Sequence, residues 1–533
     1  MPKDFIPFKD TGYFSSLICD YLDEKEDLKQ FYSRIPNIEN FRDQIYEKKN
    51  SFSKEHREVI KDVIKNQYQK IDTSELTKKN IDALAKESTF TVTTGHQLNL
   101  FTGPLYFLYK IISTINLTKE LKLNFPDFNF VPVYWMATED HDFDEINFFN
   151  FQDIKVSWNR ESNGVVGKLS TEGLDEVLQV FSEKLGTSPN AKSITELFRN
   201  SYVQNHTLTD ATRYLANELF SEYGLVILDA DNKDLKKLFI PYIQREIKEH
   251  ISFKKVSKAN IKLNKKSEAY PIQVNPREIN LFYITDKLRE RIVEKDGFYK
   301  VLNSEISWNE QELFNEINIH PERFSPNVLM RPLYQEVILP NLCYIGGGGE
   351  LSYWLQLKST FDAFSVSFPV LLLRNSVLLK STKQSEKLKK LEIENIDLFL
   401  DKNSFINKKV RSISNIDIDF SMQKELLEKQ FKDLYLLAKK TDKSFLGAVS
   451  AQERKQIKGL EKLEKRLLKA QKKKLADHVS RITDIQNQLF PNQTLQERVA
   501  NFSEFYLAYG DRLIPFLFKH LHPLQGDFLV LSL

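Results

Sequence analysis

The chain of 533 residues has very little cysteine: only Cys19 and Cys343 occur, and they lie far apart. This excludes a disulfide framework and a zinc site built from four cysteines. No run of about 18 uninterrupted apolar residues is present, and the N-terminal residues lack a signal-peptide pattern. We therefore expect a cytoplasmic protein without a membrane partner.

An excess of charge of either sign is also lacking. The 76 Lys and Arg residues nearly balance the 73 Asp and Glu residues, which leaves a formal net charge of +3. This balance argues against a protein that coats nucleic acid over its whole surface, but it leaves room for a local basic face. The length predicts roughly two to four folding units at the usual domain size.

Apolar segments that read as buried strands alternate with helical patterns along much of the chain. This alternation is typical of an α/β fold with a doubly wound parallel sheet. We expect residues 1–88 to wrap this core as helices, and the C-terminal FLVLSL to add a strand to the main sheet. The predicted strands are 89–93, 130–138, 224–231, 328–339, 341–347 and 368–376.

Changes in composition predict the domain boundaries. Glycine and proline almost vanish over 379–491, where Leu468, Leu475, Ile482 and Leu489 repeat every seven residues with Ile485 on the same seam. That spacing predicts a helical hairpin or coiled coil. The other predicted units are the N-terminal helices and first part of the core in 1–144, an inserted subdomain in 145–205, core in 206–250, a second inserted subdomain in 251–325, core in 326–378 and a C-terminal return to the core in 492–533.

The first candidate site follows the strand predicted at 89–93. It comprises Thr94, Gly95, His96 and Gln97, then Asn99, Thr102 and Gly103 ahead of the next helix. Ligands of doubly wound folds bind at the carboxyl ends of the strands, and this set of residues suits a phosphate or a carboxylate. The alternative is a tight strand–helix turn that needs Gly95 and Gly103 only for backbone geometry.

The second candidate site is the polar segment Thr138, Glu139, Asp140, His141 and Asp142, directly after an apolar strand. Carboxylates around one histidine could form a general base with an orienting partner, an ammonium pocket or a metal site. The alternative is an exposed acidic turn that caps the next helix.

The third candidate site is the run of four glycines at 346–349, followed by Glu350, Tyr353 and Trp354. Each ordered glycine costs about 1 kcal/mol relative to alanine, and a close approach of backbone to ligand would explain why four are kept. The run matches neither the dinucleotide fingerprint nor the P-loop, and a flexible hinge is the alternative. Cys343 is interpreted as a buried strand residue rather than as a nucleophile.

A basic segment, 452–478, is interpreted as the solvated face of a coiled coil rather than as a nucleic-acid site, because aromatic residues are absent from it. We therefore expect no nucleic-acid partner. The histidines outside the candidate sites form no metal-binding pattern, so we also expect no metal site.

Four blocks occur in a fixed order: TGHQLNLFTGPLYFLYKI, VPVYWMATEDHDFDEIN, IGGGGELSYWLQLK and FPVLLLRNS. Together with the Lys- and Leu-rich segment that follows, they resemble the bacillithiol-biosynthesis cysteine-adding family of ligases. The resemblance covers nearly the whole chain. It implies a Rossmann-like core with inserted connecting-peptide subdomains and a long α-helical coiled-coil domain that forms a homodimer. It also implies a reaction that joins the carboxyl group of cysteine to the amine of glucosaminyl-malate.

ATP is the expected energy source, because a carboxylate and an amine do not condense unaided in water and the carboxylate must be activated, most simply as an acyl-adenylate. On this hypothesis His96 is catalytic and faces phosphate, although the HxGH motif of class I synthetases is absent. Asp140 and His141 are catalytic and take the amine proton. The predicted cofactor-binding residues are Thr94, Gly95, Thr102 and Gly103. The predicted substrate-binding residues are Gln97, Asn99, Thr138, Glu139, Asp142, Gly346, Gly347, Gly348, Gly349, Glu350, Tyr353 and Arg374, the last as a carboxylate clamp.

Three alternatives stay open at the level of sequence. One is a nucleotidyltransferase on the same core. Another is a non-enzymatic coiled-coil scaffold or nucleic-acid-binding protein, which would leave the acidic and glycine-rich segments without a role. The third is a metal-dependent hydrolase that uses residues 139–142.

Overall fold

The computed structural model describes residues 3–533. Its strands are β1 (Lys3–Pro7), β2 (Thr89–His96), β3 (Asn129–Met136), β4 (Phe148–Phe151), β5 (Ile154–Ser157), β6 (Val226–Asp229), β7 (Leu281–Ile284), β8 (Arg289–Lys295), β9 (Phe298–Val301), β10 (Ser307–Trp308), β11 (Phe324–Pro326), β12 (Asn341–Gly346), β13 (Val370–Leu373), β14 (Val377–Lys380) and β15 (Asp527–Ser532).

Helices connect and cover these strands. As far as β13 they are α1 (Ser16–Leu22), α2 (Ile38–Ser51), α3 (Lys54–Gln67), α4 (Glu75–Ala83), α5 (Tyr106–Asn124), α6 (Phe143–Ile146), α7 (Leu174–Leu185), α8 (Pro189–Phe198), α9 (Leu208–Phe220), α10 (Lys233–Lys237), α11 (Ile240–Glu249), α12 (Ile251–Lys266), α13 (Glu310–Ile319), α14 (Arg331–Ile338), α15 (Gly348–Trp354) and α16 (Lys358–Phe364). The C-terminal helices are α17 (Thr382–Lys390), α18 (Lys402–Ile413), α19 (Ser421–Ala438), α20 (Lys443–Lys474), α21 (Ala476–Leu489), α22 (Phe502–Tyr509) and α23 (Leu513–His520).

The central sheet is parallel, with the strand order β13-β12-β2-β3-β6. The chain runs outward from β2 through β3 to β6 and then returns to β12 and β13 on the other side of β2. This order confirms the predicted doubly wound α/β core. It also places a topological switch point between β2 and β12, where ligands of such sheets bind.

Apolar side chains cover both faces of the sheet. In β13, Val370 and Leu372 pack in one buried cluster together with Phe41 of α2, whereas Leu371 and Leu373 pack in the larger cluster on the opposite face. Alternate residues of a strand point to opposite faces, so a strand buried on both faces must be apolar at nearly every position. This explains why β3, β6, β12 and β13 were recognisable as largely apolar runs, whereas β2 combines apolar residues with threonines, which also favour strands.

Three sequence predictions about secondary structure are wrong. Residues 328–339 form helix α14 rather than a strand, because Pro332, which has no N–H to donate, fits the first turn of a helix. Lys3–Pro7 forms a strand in a segment predicted to be only helical. Strand β15 does not join the main sheet; it pairs with β1 and β14 in a separate three-stranded sheet.

The segment between β6 and β12 carries an antiparallel sheet with the order β10-β9-β8-β7-β11. Between β3 and β6, the chain forms the β4–β5 hairpin and then helices α7 to α9. The antiparallel sheet matters for function, because residues of β7 and β8 face the carboxyl end of the central sheet.

The C-terminal helices α19 and α20 form a long antiparallel hairpin. The predicted heptad seam is buried within this one chain: Leu468 packs against α18, whereas Ile482 and Leu489 belong to the main core. Leu475 separates α20 from α21, with φ −102° and ψ 29°. None of the helices in residues 3–533 has both the length and the apolar character needed to cross a membrane.

Candidate active site

A cleft of about 780 Å³ opens at the carboxyl ends of β2, β3 and β12, beside the switch point of the sheet. The antiparallel sheet forms its opposite wall through Phe282, Arg289 and Arg291. Of the residues predicted to form the site, those that line the cleft are Gly95, His96, Gln97, Thr138, Glu139, Asp140, Gly347, Gly349, Glu350, Tyr353 and Arg374. The three predicted motifs therefore meet around one space.

Other predicted residues shape the walls without lining the cleft. The Thr94 hydroxyl donates to the Ile345 carbonyl at 2.7 Å, which joins β2 to β12, and the Asn99 amide donates to the Glu145 carbonyl at 3.2 Å. Asp142 accepts from the Glu145 N–H at 3.3 Å and so caps α6. Gly348 faces Phe14 and Ile18 of the N-terminal segment, whereas Gly346 lies against the Tyr344 ring.

The turn that contains Thr102 and Gly103 also stays outside the cleft. Phe101, Thr102 and Gly103 all have positive φ angles, and Asn501 donates to the carbonyls of Phe101 and Gly103 at 2.8 and 2.6 Å. A β-carbon on Gly103 would lie 2.6 Å from Cβ of Asn99. Glycine at this position therefore serves the backbone of the turn. Neither Thr102 nor Gly103 is among the residues that line the cleft, although the Thr102 backbone lies within hydrogen-bonding reach of His96.

His96 lies buried in the floor of the cleft. Its ring is 5.5 Å from that of Tyr106 and 5.0 Å from that of Phe107, and its Nε2 has no hydrogen-bond partner. Burial, together with the positive charges of Lys110 and Arg374, lowers the pKa of His96 to about 3. At neutral pH the side chain is therefore an uncharged imidazole whose Nε2 is free to contact a ligand.

Glu350 is tied into an internal network. Its carboxylate accepts from the Tyr344 hydroxyl at 2.7 Å and from the Gly347 N–H at 2.8 Å, and it pairs with the Lys110 ammonium at 2.6 Å. Lys110 also donates to the Gly95 carbonyl at 2.7 Å. Although burial alone would raise the pKa of Glu350, these donors hold it below its ordinary value. The geometry makes Glu350 a residue that positions Lys110 and the glycine loop.

Arg374 is almost fully buried behind the glycine loop. It pairs with Glu497 at 2.7 Å and donates to the Asn375 carbonyl at 2.9 Å, while its guanidinium carbon lies 4.9 Å from the centre of the Tyr106 ring. Its Nε is buried without a partner. The N–H of Nε is therefore available to a ligand after these internal contacts are made.

The acidic turn after β3 is held by contacts with the end of β6 and with α10. The Thr138 hydroxyl donates to Asp229 at 2.5 Å, and Glu139 pairs with the buried Lys236, which also contacts Asp231 at 3.1 Å. Burial raises the pKa of Asp229. These contacts fix residues 138–140 at the rim of the cleft in one orientation.

Asp140 and His141 have different surroundings. Asp140 accepts from the Gln97 amide at 3.0 Å and from the His141 N–H at 2.7 Å, and it lines the cleft. The His141 ring lies outside the lining, where Nδ1 accepts from the Arg289 guanidinium at 2.7 Å. Arginine can only donate, so this bond occupies the single lone pair of a neutral imidazole. The geometry favours Asp140 over His141 as the proton acceptor.

Most of the basic residues of the cleft were not predicted from the sequence. The lining contains seven basic side chains against the three carboxylates Glu139, Asp140 and Glu350: Lys110, Arg277, Arg289, Arg291, Arg331, Arg374 and Arg498. Arg331 was overlooked because 328–339 was read as a strand, although Pro332 signalled the first turn of a helix. Arg277, Arg289 and Arg291 reach the cleft only through the packing of the antiparallel sheet, for which no local signal exists.

The lining residues fit anionic ligands. Four buried nitrogen atoms of the cleft have no hydrogen-bond partner among the residues that the structure describes, and a buried polar group without a partner is costly: Nε2 of His96, Nε of Arg289, Nη2 of Arg331 and Nε of Arg374. Oxygen atoms of a phosphate or a carboxylate would satisfy the guanidinium donors. No group of three or more His, Cys, Asp or Glu side chains is placed to hold a metal ion in the part of the chain that the structure describes.

Cys343 lies in the interior of β12 and is fully buried. Burial raises the pKa of its thiol well above the ordinary value, which leaves an unreactive thiol. This placement agrees with the interpretation of Cys343 as a strand residue rather than a nucleophile.

Comparisons with known proteins cover the whole chain. The family model "Bacillithiol biosynthesis BshC, N-terminal Rossmann-like domain" matches residues 1–375, and "Bacillithiol biosynthesis BshC, C-terminal coiled-coil domain" matches residues 377–533. A protein of Christiangramia forsetii named "Putative cysteine ligase BshC" is 58% identical over 100% of this chain and 99% of its own. Proteins of the same name from Flavobacterium johnsoniae and Cytophaga hutchinsonii are 56% and 37% identical, over 100% and 97% of this chain and 100% and 96% of their own.

Among solved structures, a chain titled as a putative arginyl-tRNA synthetase from Campylobacter jejuni aligns with 84% of this chain and 98% of its own. The identity is 10% and the TM-score is 0.21, which is too low to establish a shared fold.

Proposed function

The chain belongs to the bacillithiol biosynthesis BshC family, and from that premise we propose that it is a ligase that joins the carboxyl group of cysteine to the amine of glucosaminyl-malate. The matches confirm the family predicted from the sequence, together with its Rossmann-like core and coiled-coil domain. The observation that best supports the reaction is that one cleft holds both an excess of basic side chains and the carboxylates of Glu139 and Asp140.

The presence of both basic and acidic side chains in the cleft suits the charges of the proposed substrates. Cysteine brings a carboxylate and an ammonium group, and glucosaminyl-malate brings carboxylates and an amine. The basic side chains of Lys110, Arg331 and Arg374 would attract the carboxylates, whereas Glu139 and Asp140 would attract the ammonium groups. The two sets of side chains would thereby orient the reacting carboxyl group and amine toward each other.

The proposal includes ATP, which when bound would supply the activation of the cysteine carboxylate. The residues that would hold its phosphates are His96, Arg331 and Arg374, because each offers a buried nitrogen without a partner. His96 is neutral and would contact the phosphate as an N–H donor through Nε2 rather than as a charge. Phe282, Arg289 and Arg291 of the antiparallel sheet form the opposite wall of the cleft, which would restrict the access of water.

The attacking amine must lose a proton as the amide bond forms. Asp140 lines the cleft, and Gln97 and the His141 backbone hold its carboxylate in place. We expect Asp140 to accept this proton, directly or through one water molecule. Glu139 is less suited to the role, because its carboxylate is already paired with Lys236.

A reconstitution experiment tests the proposal. Purified full-length protein is incubated with cysteine, glucosaminyl-malate and ATP, and the thiol product is quantified by mass spectrometry together with AMP and ADP. We expect one nucleotide cleaved per amide formed. Product without nucleotide cleavage would contradict the use of ATP and leave the ligase assignment intact. Pyrophosphate release that does not need cysteine would favour a nucleotidyltransferase instead.

Asp140→Asn tests the proton acceptor in the same assay. We expect kcat to fall by about 10²- to 10⁴-fold, because general base catalysis typically contributes that much. Asp234→Asn is the matched control, since Asp234 is exposed on α10 and pairs only with Lys237. Equal activity of both variants would rule out the role assigned to Asp140.

A further inference from the structure

Arg331 occupies an unusual position at the start of α14. The carbon of its guanidinium lies 5.5 Å from the ring centre of Trp135 on β3 and 5.5 Å from that of Tyr344 on β12. Two aromatic rings thus flank the guanidinium group. They stand on β3 and β12, the strands on either side of β2, and both rings line the cleft. An arginine that stacks on rings keeps its edge free for hydrogen bonds.

Although desolvation lowers the pKa of the Arg331 guanidinium, the Tyr353 and Tyr344 hydroxyls and the Glu350 carboxylate lie near enough to raise it above its ordinary value, but none of them forms an ion pair with it. Nη1 of Arg331 donates to the neutral Gln335 amide oxygen at 3.1 Å, and its Nη2 is buried without a partner. No ion pair involves Arg331 among the residues that the structure describes, whereas Lys110 pairs with Glu350 and Arg374 with Glu497. Arg331 is only partly buried, and its Nη2, which has no acceptor among the described residues, is the atom that an anion in the cleft would reach.

Arg374 contributes to the same floor from the opposite side of the glycine loop. Its partnerless Nε lies 3.8 Å from the position of a β-carbon on Gly347, so only the missing side chain leaves this space open. Burial lowers the pKa of Lys110, and the nearby positive charges of both Arg374 and Arg331 lower it further. The two guanidinium groups therefore act on the same buried ammonium group.

We propose that Arg331 and Arg374 form a deep subsite for an oxyanion, in which Arg331 is the specificity-determining residue. The ligand chemistry is a group with two or more acceptor oxygens, such as a carboxylate or a phosphate. Nη2 of Arg331 and Nε of Arg374 supply separate N–H donors to it, and the sandwich between Trp135 and Tyr344 fixes the plane of the first guanidinium. The assignment rests on the proposed function, in which such a group comes either from the malyl part of the acceptor or from a nucleotide.

Binding of simple anions tests the subsite without the full reaction. L-malate, inorganic phosphate and pyrophosphate are titrated separately into the full-length protein by calorimetry at one fixed low salt concentration. We expect Arg331→Met to bind at least one of them about 10- to 100-fold more weakly than the wild type, as for loss of a hydrogen bond to a charged group. Weakening confined to malate identifies the acceptor carboxylates, and weakening confined to phosphate and pyrophosphate identifies the nucleotide.

Two further variants make the result decisive. Arg245→Met is the matched control, because Arg245 also stacks on a ring, Phe364, at 5.2 Å but lies outside the cleft. It should bind every anion as the wild type does. Arg331→Lys keeps the charge and loses the planar donor edge, so we expect intermediate affinity, and it replaces Arg331→Met if that variant fails to fold.

The subsite is overturned if Arg331→Met binds all three anions with wild-type affinity, or if the wild type binds none of them. Failure of the proposed function looks different. In that case the anion binds through Arg331, but the wild-type protein forms no amide from cysteine and glucosaminyl-malate.

Discussion

His96 shows how burial changes the chemistry of a single residue. A histidine beside a loop that suits phosphate suggests a positive charge, yet burial and its basic neighbours lower the pKa of His96 to about 3. Protonation of the ring in the folded chain would place a further charge beside Lys110 and Arg374. The residue therefore acts as a neutral group, and the positive charge of the floor comes from the lysine and arginine side chains.

This low pKa predicts how stability depends on pH. The unfolded chain binds a proton at His96 near pH 6.5, whereas the folded chain resists protonation down to about pH 3, so stability is lost as the pH falls between these values. Between pH 7.5 and pH 5, we expect the free energy of unfolding of the wild type to fall by about 2 kcal/mol more than that of His96→Gln. Urea unfolding of both proteins at each pH measures the difference. His478→Gln, at an exposed position of α21, should behave as the wild type. If the free energy of unfolding fell by the same amount in the wild type and in His96→Gln, the pKa of His96 would not be lowered in the folded chain.

At the scale of the elements, the turn between β2 and α5 is held by its backbone. Gly103 has φ +62° and ψ −131°, a combination that side chains disfavour, and Asn99 occupies the space beside its α-carbon. The turn thus supports the carboxyl end of β2, which carries Gly95 and His96 into the cleft.

Gly103→Ala should therefore destabilise the protein by about 3 kcal/mol or more, since backbone strain and a close contact with Asn99 add together. Gly526→Ala is the matched control: its φ is +79°, but a β-carbon there would meet no atom within 4 Å. The free energy of unfolding of that variant should fall by only about 1 kcal/mol, because only the backbone strain applies there. The free energies of unfolding of the two variants measure the contrast, and equal losses would contradict the role given to Asn99.

Much of the core was predictable because its strands are buried on both faces. β3 is a nearly continuous apolar run, β12 is mostly apolar, and β2 alternates threonine with apolar residues. Each is followed by or ends in polar or glycine residues, and the carboxyl ends of parallel strands meet at one edge. That reasoning brought His96, Asp140 and Glu350 to one cleft. It could not find Arg331, because 328–339 was interpreted as a strand although Pro332 is typical of the first turn of a helix. Nor could it find Arg289, whose place depends on how a separate antiparallel sheet packs.

For the molecule as a whole, the net charge of +3 hides an uneven distribution. Seven basic residues line the cleft against three carboxylates, and two of these carboxylates, Glu139 and Glu350, are paired with lysines. A cleft of one sign concentrates ligands of the opposite sign. The near-balance of the complete chain keeps this attraction local, which suits a protein that selects small anionic substrates.

The helical hairpin supplies the last prediction, a homodimer, which the family resemblance implies. The heptad seam cannot serve as the interface, because Ile482 is only 1% exposed and belongs to the core of its own chain. The apolar residues that remain accessible on the hairpin include Leu426, Leu437 and Phe445, which are 52%, 54% and 43% exposed. Exposed apolar positions grouped on one hairpin favour contact with a second copy.

Leu437→Glu should therefore reduce the mass in light scattering from twice 62.5 kDa to 62.5 kDa and leave the unfolding temperature nearly unchanged, because the new charge replaces a side chain that faces solvent in the single chain. Ile482→Glu is the contrasting variant. It places a charge in the core and should lower the unfolding temperature sharply, whatever the oligomeric state. A wild-type mass of 62.5 kDa would exclude the dimer. If the dimer persists in Leu437→Glu and also in the double variant that adds Phe445→Glu, the interface lies on the α/β core rather than on the hairpin.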